Sequence, residues 1–214
     1  MLIKVCGMRD DDNIRALRNL NPDFIGLIFY SKSSRFVGDK PTAAQKESFG
    51  HSLKVGVFVN SETNYIQQKI LDFGLDMVQL HGGESPEFCT TIGQMGVKVI
   101  KAFSIATEED LQQVCRYEGK ADFFLFDTKT AGFGGSGRKF EWEILRNYHC
   151  DTPFLLSGGI DEADIEAVRQ IRLPRMAGID LNSKFEVSPA LKDIDKLNRT
   201  FAKLRAQTDI TSKQ

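Results

Sequence analysis

The sequence predicts an α/β fold, a single (β/α)8 barrel, and three observations carry that reading. Short apolar runs recur eight times, amphipathic segments separate them, and 214 residues leave room for eight such units and little else. The runs are LIKVC, DFIGLIFY, LKVGVFV, LDMVQL, VKVIKAF, DFFLFD, PFLLS and AGIDL. Each is apolar at nearly every position, as strands buried on both faces of a parallel sheet are. An open doubly wound sheet is the structural alternative. Against it, no GxGxxG follows the first run, where a dinucleotide-binding fold would place it.

The intervening segments carry helix-entry signals. DDDNIRALRNL, SETNYIQQKILDF, ESPEFCTTIGQM, TEEDLQQVCRY, FEWEILRNY and DEADIEAVRQI are amphipathic at helical period. Ser61 and Thr107 are predicted N-caps, and Thr107 with Asp110 forms a capping box in which Asp replaces Glu. The second connection, residues 41–49, has the weakest periodicity. From Pro189 to about residue 206 the spacing of Leu191, Ile194, Leu197, Phe201 and Leu204 predicts a closing helix with Pro in its first turn. The barrel is therefore expected to occupy residues 1–206, with 207–214 a polar C-terminal tail.

Composition narrows the function. Hydrophobic residues at 41% and charged residues at 27% describe an ordinary globular chain. A formal net charge of -1 provides no broad basic field for nucleic acid or an anionic membrane. Runs such as VGVFV and FFLF are far too short to span a bilayer, and no signal-peptide core precedes Lys4, so a cytoplasmic location is expected. Cys6, Cys89, Cys115 and Cys150 show no CxxC and no Cys/His cluster at metal-ligand spacing. They are expected to be free thiols in a reducing compartment, with no metal.

In a barrel the ligand site lies at the carboxyl ends of the strands. In order, the strands deliver there Cys6, Ser33 to Arg35, Asn60, Gln79 with His81, Lys101 with Ser104, Asp127, Ser157 to Gly159, and Asp180 to Ser183. Cys6 and Asp127 each close an otherwise apolar run. A thiol near a cation can act as a base, and a carboxyl whose pKa is raised by burial can act as an acid. Cys6 can equally be a small buried hydrophobe, and Asp127 a turn carboxylate. Gly158 and Gly159 allow backbone N–H groups to approach an anion, and Asn182 with Ser183 ends the neighbouring eighth strand, where barrels often hold phosphate. Arg35 has the planar fork that suits a carboxylate. His81, with no partner ligands in sequence, reads as pocket lining. Gly132, Gly134, Gly135 and Gly137 make the connection after Asp127 a candidate lid, and GFGGSGRK lacks the GxxxxGK[ST] of a nucleotide-binding loop.

Taken together, KVCGM, KSSRFV, VGVFVN, VQLHGGE, LFDTKTAGFGGSGRKFEW, LLSGGI and GIDLNSKFEVSPALKD, in this order over nearly the whole chain, resemble the phosphoribosylanthranilate isomerase family of tryptophan biosynthesis. The resemblance implies a TIM barrel that needs no cofactor or metal and isomerises a small-molecule phosphosugar by an Amadori rearrangement, as a monomer or homodimer. It implies Cys6 as general base and Asp127 as general acid. Arg35 would grip the anthranilate carboxylate, with Asp180 near the substrate and Gly158, Gly159 and Ser183 at the phosphate; the strand-end reading adds His81 at the substrate and Asn182 at the phosphate. Lys184 stands where the family more usually has Gly, and Ser34 replaces a frequent Pro. A related aminoimidazole carboxamide ribonucleotide isomerase would carry Asp in place of Cys6. A non-catalytic phosphosugar-binding subunit would not need both Cys6 and Asp127.

Overall fold

The computed structural model describes residues 1–128 and 142–206. The strands are β1 (Leu2–Cys6), β2 (Phe24–Ile28), β3 (Leu53–Phe58), β4 (Met77–Leu80), β5 (Lys98–Ile105), β6 (Phe123–Thr128), β7 (Phe154–Ser157) and β8 (Met176–Leu181). All eight pair in parallel in sequence order, and β1 also pairs with β8, so the sheet closes into the expected barrel. Around it lie α1 (Asp11–Arg18), α2 (Ala43–Lys46), α3 (Thr63–Phe73), α4 (Pro86–Gly93), α5 (Glu108–Val114), α6 (Ile165–Gln170) and α7 (Ile194–Arg205). The Gly-rich connection and the polar tail fall outside the described residues. Among the described residues, no helix is long and apolar enough to cross a membrane.

Strand alternation divides the core in two. Ile3, Val5, Leu27, Val78 and Phe126 face outward and pack beneath the helices. Phe24, Val55, Met77, Ile100, Leu125 and Leu155 face inward and form a separate cluster inside the barrel. Because the side-chain period is two, the same parity that points Leu125 inward points Asp127 inward, one layer higher. The interior is therefore a packed plug below and a set of polar side chains above. Gly26 fits this arrangement: a Cβ there would stand 2.7 Å from the Cys6 sulfur.

Several elements differ from the sequence expectation. Thr107 and Asp110 form the predicted capping box, but α3 is capped by Glu62 instead of Ser61, with no side-chain cap bond. In place of a sixth helix, Trp142–Asn147 is a 3₁₀ turn. Trp142, Leu145 and Tyr148 meet the core at a spacing of three, which matches three residues per turn better than 3.6. The closing helix starts at Ile194, not near Pro189, because the Asp193 carboxylate caps it by accepting from the Lys196 N–H at 2.9 Å. The preceding residues make a small hairpin of β9 (Glu186–Ser188) and β10 (Leu191–Lys192).

The free-thiol expectation holds for Cys6 and Cys89 and fails for the other pair. Cys115 and Cys150 form a disulfide, with Cα atoms 5.7 Å apart and the His149 Nε2 3.7 Å from the Cys115 sulfur. A separation of 35 residues hides this proximity. The chain leaves α5, crosses through β6 and returns alongside α5 in the 3₁₀ turn. Their ligand atoms lie within 4.8 Å of one another, so a Cys/His cluster does exist, with its two sulfurs bonded to each other.

Candidate active site

Cys6 ends β1 with its thiol buried. Two residues below it on the same face is Lys4, whose side chain is 0% exposed. Lys4 and Asp180 are register partners on adjacent strands, and the Lys4 ammonium donates to Asp180 Oδ1 at 2.9 Å. The other Asp180 oxygen accepts from Ser157 Oγ at 3.4 Å. Burial favours the neutral form of Lys4, yet Asp180 and Cys6 keep its pKa above the ordinary lysine value. The thiol responds to opposed influences. Burial pushes it up, Lys4 pulls it down, Asp180 raises it and Lys192 lowers it, leaving it above the ordinary cysteine value.

Asp127 ends the inward row of β6, partly exposed at the barrel mouth. His81 Nε2 lies 3.9 Å from Asp127 Oδ2. The Gln79 side-chain amide donates to His81 Nδ1 at 2.9 Å, which leaves the ring proton on Nε2, facing the carboxylate. Burial holds the His81 pKa below the ordinary histidine value against the pull of Asp127, so the neutral ring is the form present near pH 7.

A third group surrounds Arg35. Its guanidinium binds Glu186 bidentately, Nη2 to Oε2 at 2.6 Å and Nε to Oε1 at 2.8 Å. Lys192, also buried, donates to Glu186 at 2.7 Å and to Asn182 Oδ1 at 2.8 Å. Burial would push the Glu186 carboxyl up, but hydrogen bonds from Arg35 and Lys192 outweigh it and hold it at about 2. Gly7 lies beneath this group with a φ of 80°, and a Cβ there would stand 2.8 Å from Arg35 Cδ and 3.0 Å from Asn182 Oδ1. Its bareness lets the arginine and asparagine fold over the strand end beside Cys6.

Gly158 and Gly159 both have left-handed backbone, with φ of 102° and 69°, and no side chain crowds Gly159. Ser183 begins a short 3₁₀ turn (Ser183–Phe185) after β8 and is exposed. The Asn182 side chain is held by Lys192. Two strand-end residues serve structure instead. Lys101 points outward, its ammonium bound to Glu84 and to the Gly82 carbonyl. Asn60 accepts from the Gly83 N–H at 2.7 Å. Sequence reasoning missed Lys4, Glu186 and Lys192 as site neighbours. A lysine two positions before Cys6 in a run buried on both faces was the available signal for the first.

The model of the N-(5'-phosphoribosyl)anthranilate isomerase family matches residues 3–203. The chain belongs to this family. An isomerase of that name from Parabacteroides distasonis is 53% identical over 200 residues, covering 92% of this chain and 90% of the relative. One from Phocaeicola vulgatus is 48% identical over 193 residues, covering 90% and 92%. Among solved structures, the phosphoribosyl anthranilate isomerase of Thermotoga maritima superposes with a TM-score of 0.80 at 28% identity, covering 95% of this chain and 98% of that one. Another, at TM-score 0.79 and 25% identity with the same coverage, was solved with reduced 1-(o-carboxyphenylamino)-1-deoxyribulose 5-phosphate bound.

Proposed function

We propose that this chain converts N-(5-phosphoribosyl)anthranilate to 1-(2-carboxyphenylamino)-1-deoxyribulose 5-phosphate, with Asp127 as general acid and Cys6 as general base. The observation that carries the reading is the placement of these two groups as the inward-facing residues closing β6 and β1, in a chain of this family. The reaction asks for a proton delivered at the ring oxygen and another removed from C2′. Asp127 gives its proton to the ring oxygen as the C1′–O bond breaks, and the anilino nitrogen lone pair forms the C1′=N iminium. The Cys6 thiolate then takes the C2′ proton, and the released electron pair forms the C1′=C2′ bond of an enolamine, which tautomerises to the ketone. No electrons are gained or lost overall. General acid–base assistance of this kind contributes roughly a hundredfold or more for each group.

His81 lies beside Asp127 at the mouth, its Nε2 3.9 Å from Oδ2, and, neutral, does not compete for the proton that Asp127 must carry. Arg35, steadied by Glu186, faces the anthranilate carboxylate, and Asp180 lies beside the sugar. The left-handed backbone at Gly158 and Gly159, with Asn182 and Ser183 on the next loop, suits the phosphate, which positions the sugar without reacting. The test is loss of anthranilate fluorescence with phosphoribosylanthranilate generated in situ. The purified chain is expected to extinguish the signal catalytically, and persistence of the signal at high enzyme concentration contradicts the reading.

A further inference from the structure

We propose that Lys4 is the positioning residue that makes the Cys6 thiol usable as a base, its buried ammonium acting as the counter-charge of the thiolate from one layer below. The proposal rests on Cys6 being the base, as proposed above.

Three observations support it. Lys4 occupies an inward position at the edge of the apolar plug of Phe24, Val55, Met77, Ile100, Leu125 and Leu155, with Phe24 its register partner on one side and Asp180 on the other. For stability alone an apolar side chain of similar length would serve as well there, since a buried ion pair seldom outperforms well-packed hydrophobes. Second, Lys4 and Cys6 are alternate residues of β1 on one inward face, both buried, so the ammonium held by Asp180 lies in the layer directly below the sulfur. Third, the sulfur is held within the barrel beside β2: it sits in the space a side chain at position 26 would fill.

The charges around the sulfur show why Lys4 is the group that matters. Lys4 comes from β1, Asp180 from β8, Lys192 from β10, and Arg35 from the connection after β2. Arg35 and Lys192 share Glu186, and Asp180 opposes Lys4. Of these four groups Lys4 alone shares the strand and the inward face of Cys6, and its charge draws the thiol down against burial. Proton transfer from C2′ gives S–H and leaves Lys4 protonated throughout, so the ammonium lowers the cost of the thiolate before the step and touches no substrate atom.

The test measures the thiol directly in the substrate-free protein, as the pH dependence of iodoacetamide alkylation of Cys6 followed by peptide mass spectrometry. Lys4→Met is expected to raise the alkylation midpoint by at least about one pH unit, a tenfold slower reaction at fixed pH below it. In the isomerase assay the same variant should lose at least about tenfold in kcat at neutral pH, recover towards alkaline pH and change little in KM. An unchanged or lowered midpoint in folded Lys4→Met overturns the proposal. If Lys4→Met fails to fold by circular dichroism, Lys4→Gln decides: a raised midpoint supports the proposal and an unchanged or lowered one overturns it. Because alkylation needs no substrate, failure of the isomerase reading leaves this result standing as a separate one.

Discussion

The lower and upper halves of the barrel interior are built on the same strands and the same alternation, yet they do different work. Below, Phe24, Val55, Met77, Ile100, Leu125 and Leu155 close the barrel as an apolar plug. Above, the same inward rows end in Cys6, His81, Asp127, Ser157 and Asp180, where Asp180 is held by Lys4 and Ser157, and Gln79 holds His81 beside Asp127. The difference teaches how a parallel barrel separates stability from chemistry. Burial below is non-directional and tolerant, whereas each polar group above has partners that fix its charge. Lys4 stands at the border, placed in the fold like a core residue and charged like a site residue.

Mutations on either side of that border should separate the two properties. In the plug, Leu155→Ala should cost about 2–5 kcal/mol of stability, read by urea denaturation, with kcat unchanged while the protein remains folded. At the top, Cys6→Ser should lower kcat at least about a hundredfold, or about 2.7 kcal/mol of activation energy, with the denaturation midpoint little moved. A smaller effect is expected at the Arg35 corner. The Glu186 carboxyl is held at about 2, so the stability it adds is complete above the unfolded carboxyl pKa and is lost as pH falls towards about 2. Glu186→Gln should therefore lower Tm at pH 7 and converge with the parent as the pH approaches 2, while KM rises because Arg35 loses its anchor. The smallest effect falls at Gly159, where φ is 69° and no atom crowds the missing Cβ. Gly159→Ala should cost roughly 1–2 kcal/mol through backbone strain alone, and a raised KM in that variant would tie the loop to the phosphate.

Much of this arrangement was legible in the chain. Eight doubly buried runs are a strong signal of a parallel barrel, and parity along DFFLFD already places Asp127 on the face of Leu125. The cysteine ending LIKVC acquires meaning only when the other strand ends are read with it. What stayed hidden depended on contacts distant in sequence. The Cys115–Cys150 disulfide spans 35 residues, and the Glu186 clamp on Arg35 joins residues 151 apart. The apolar spacing continues through Leu191 and so predicts a closing helix that begins too early. That residue is instead in a hairpin, where the Ala190 N–H is held by Glu186 before Asp193 caps α7. Local periodicity cannot register a cap that competes with it from inside the pattern.

The most direct measurement of the division compares Asp127→Asn with Leu125→Ala, two neighbouring inward positions on one strand, for kcat and for unfolding free energy in the same preparations. The account predicts that Asp127→Asn loses at least about a hundredfold in kcat and keeps its stability, while Leu125→Ala loses about 2–5 kcal/mol of stability and keeps its kcat. Wild-type turnover by Asp127→Asn would contradict it.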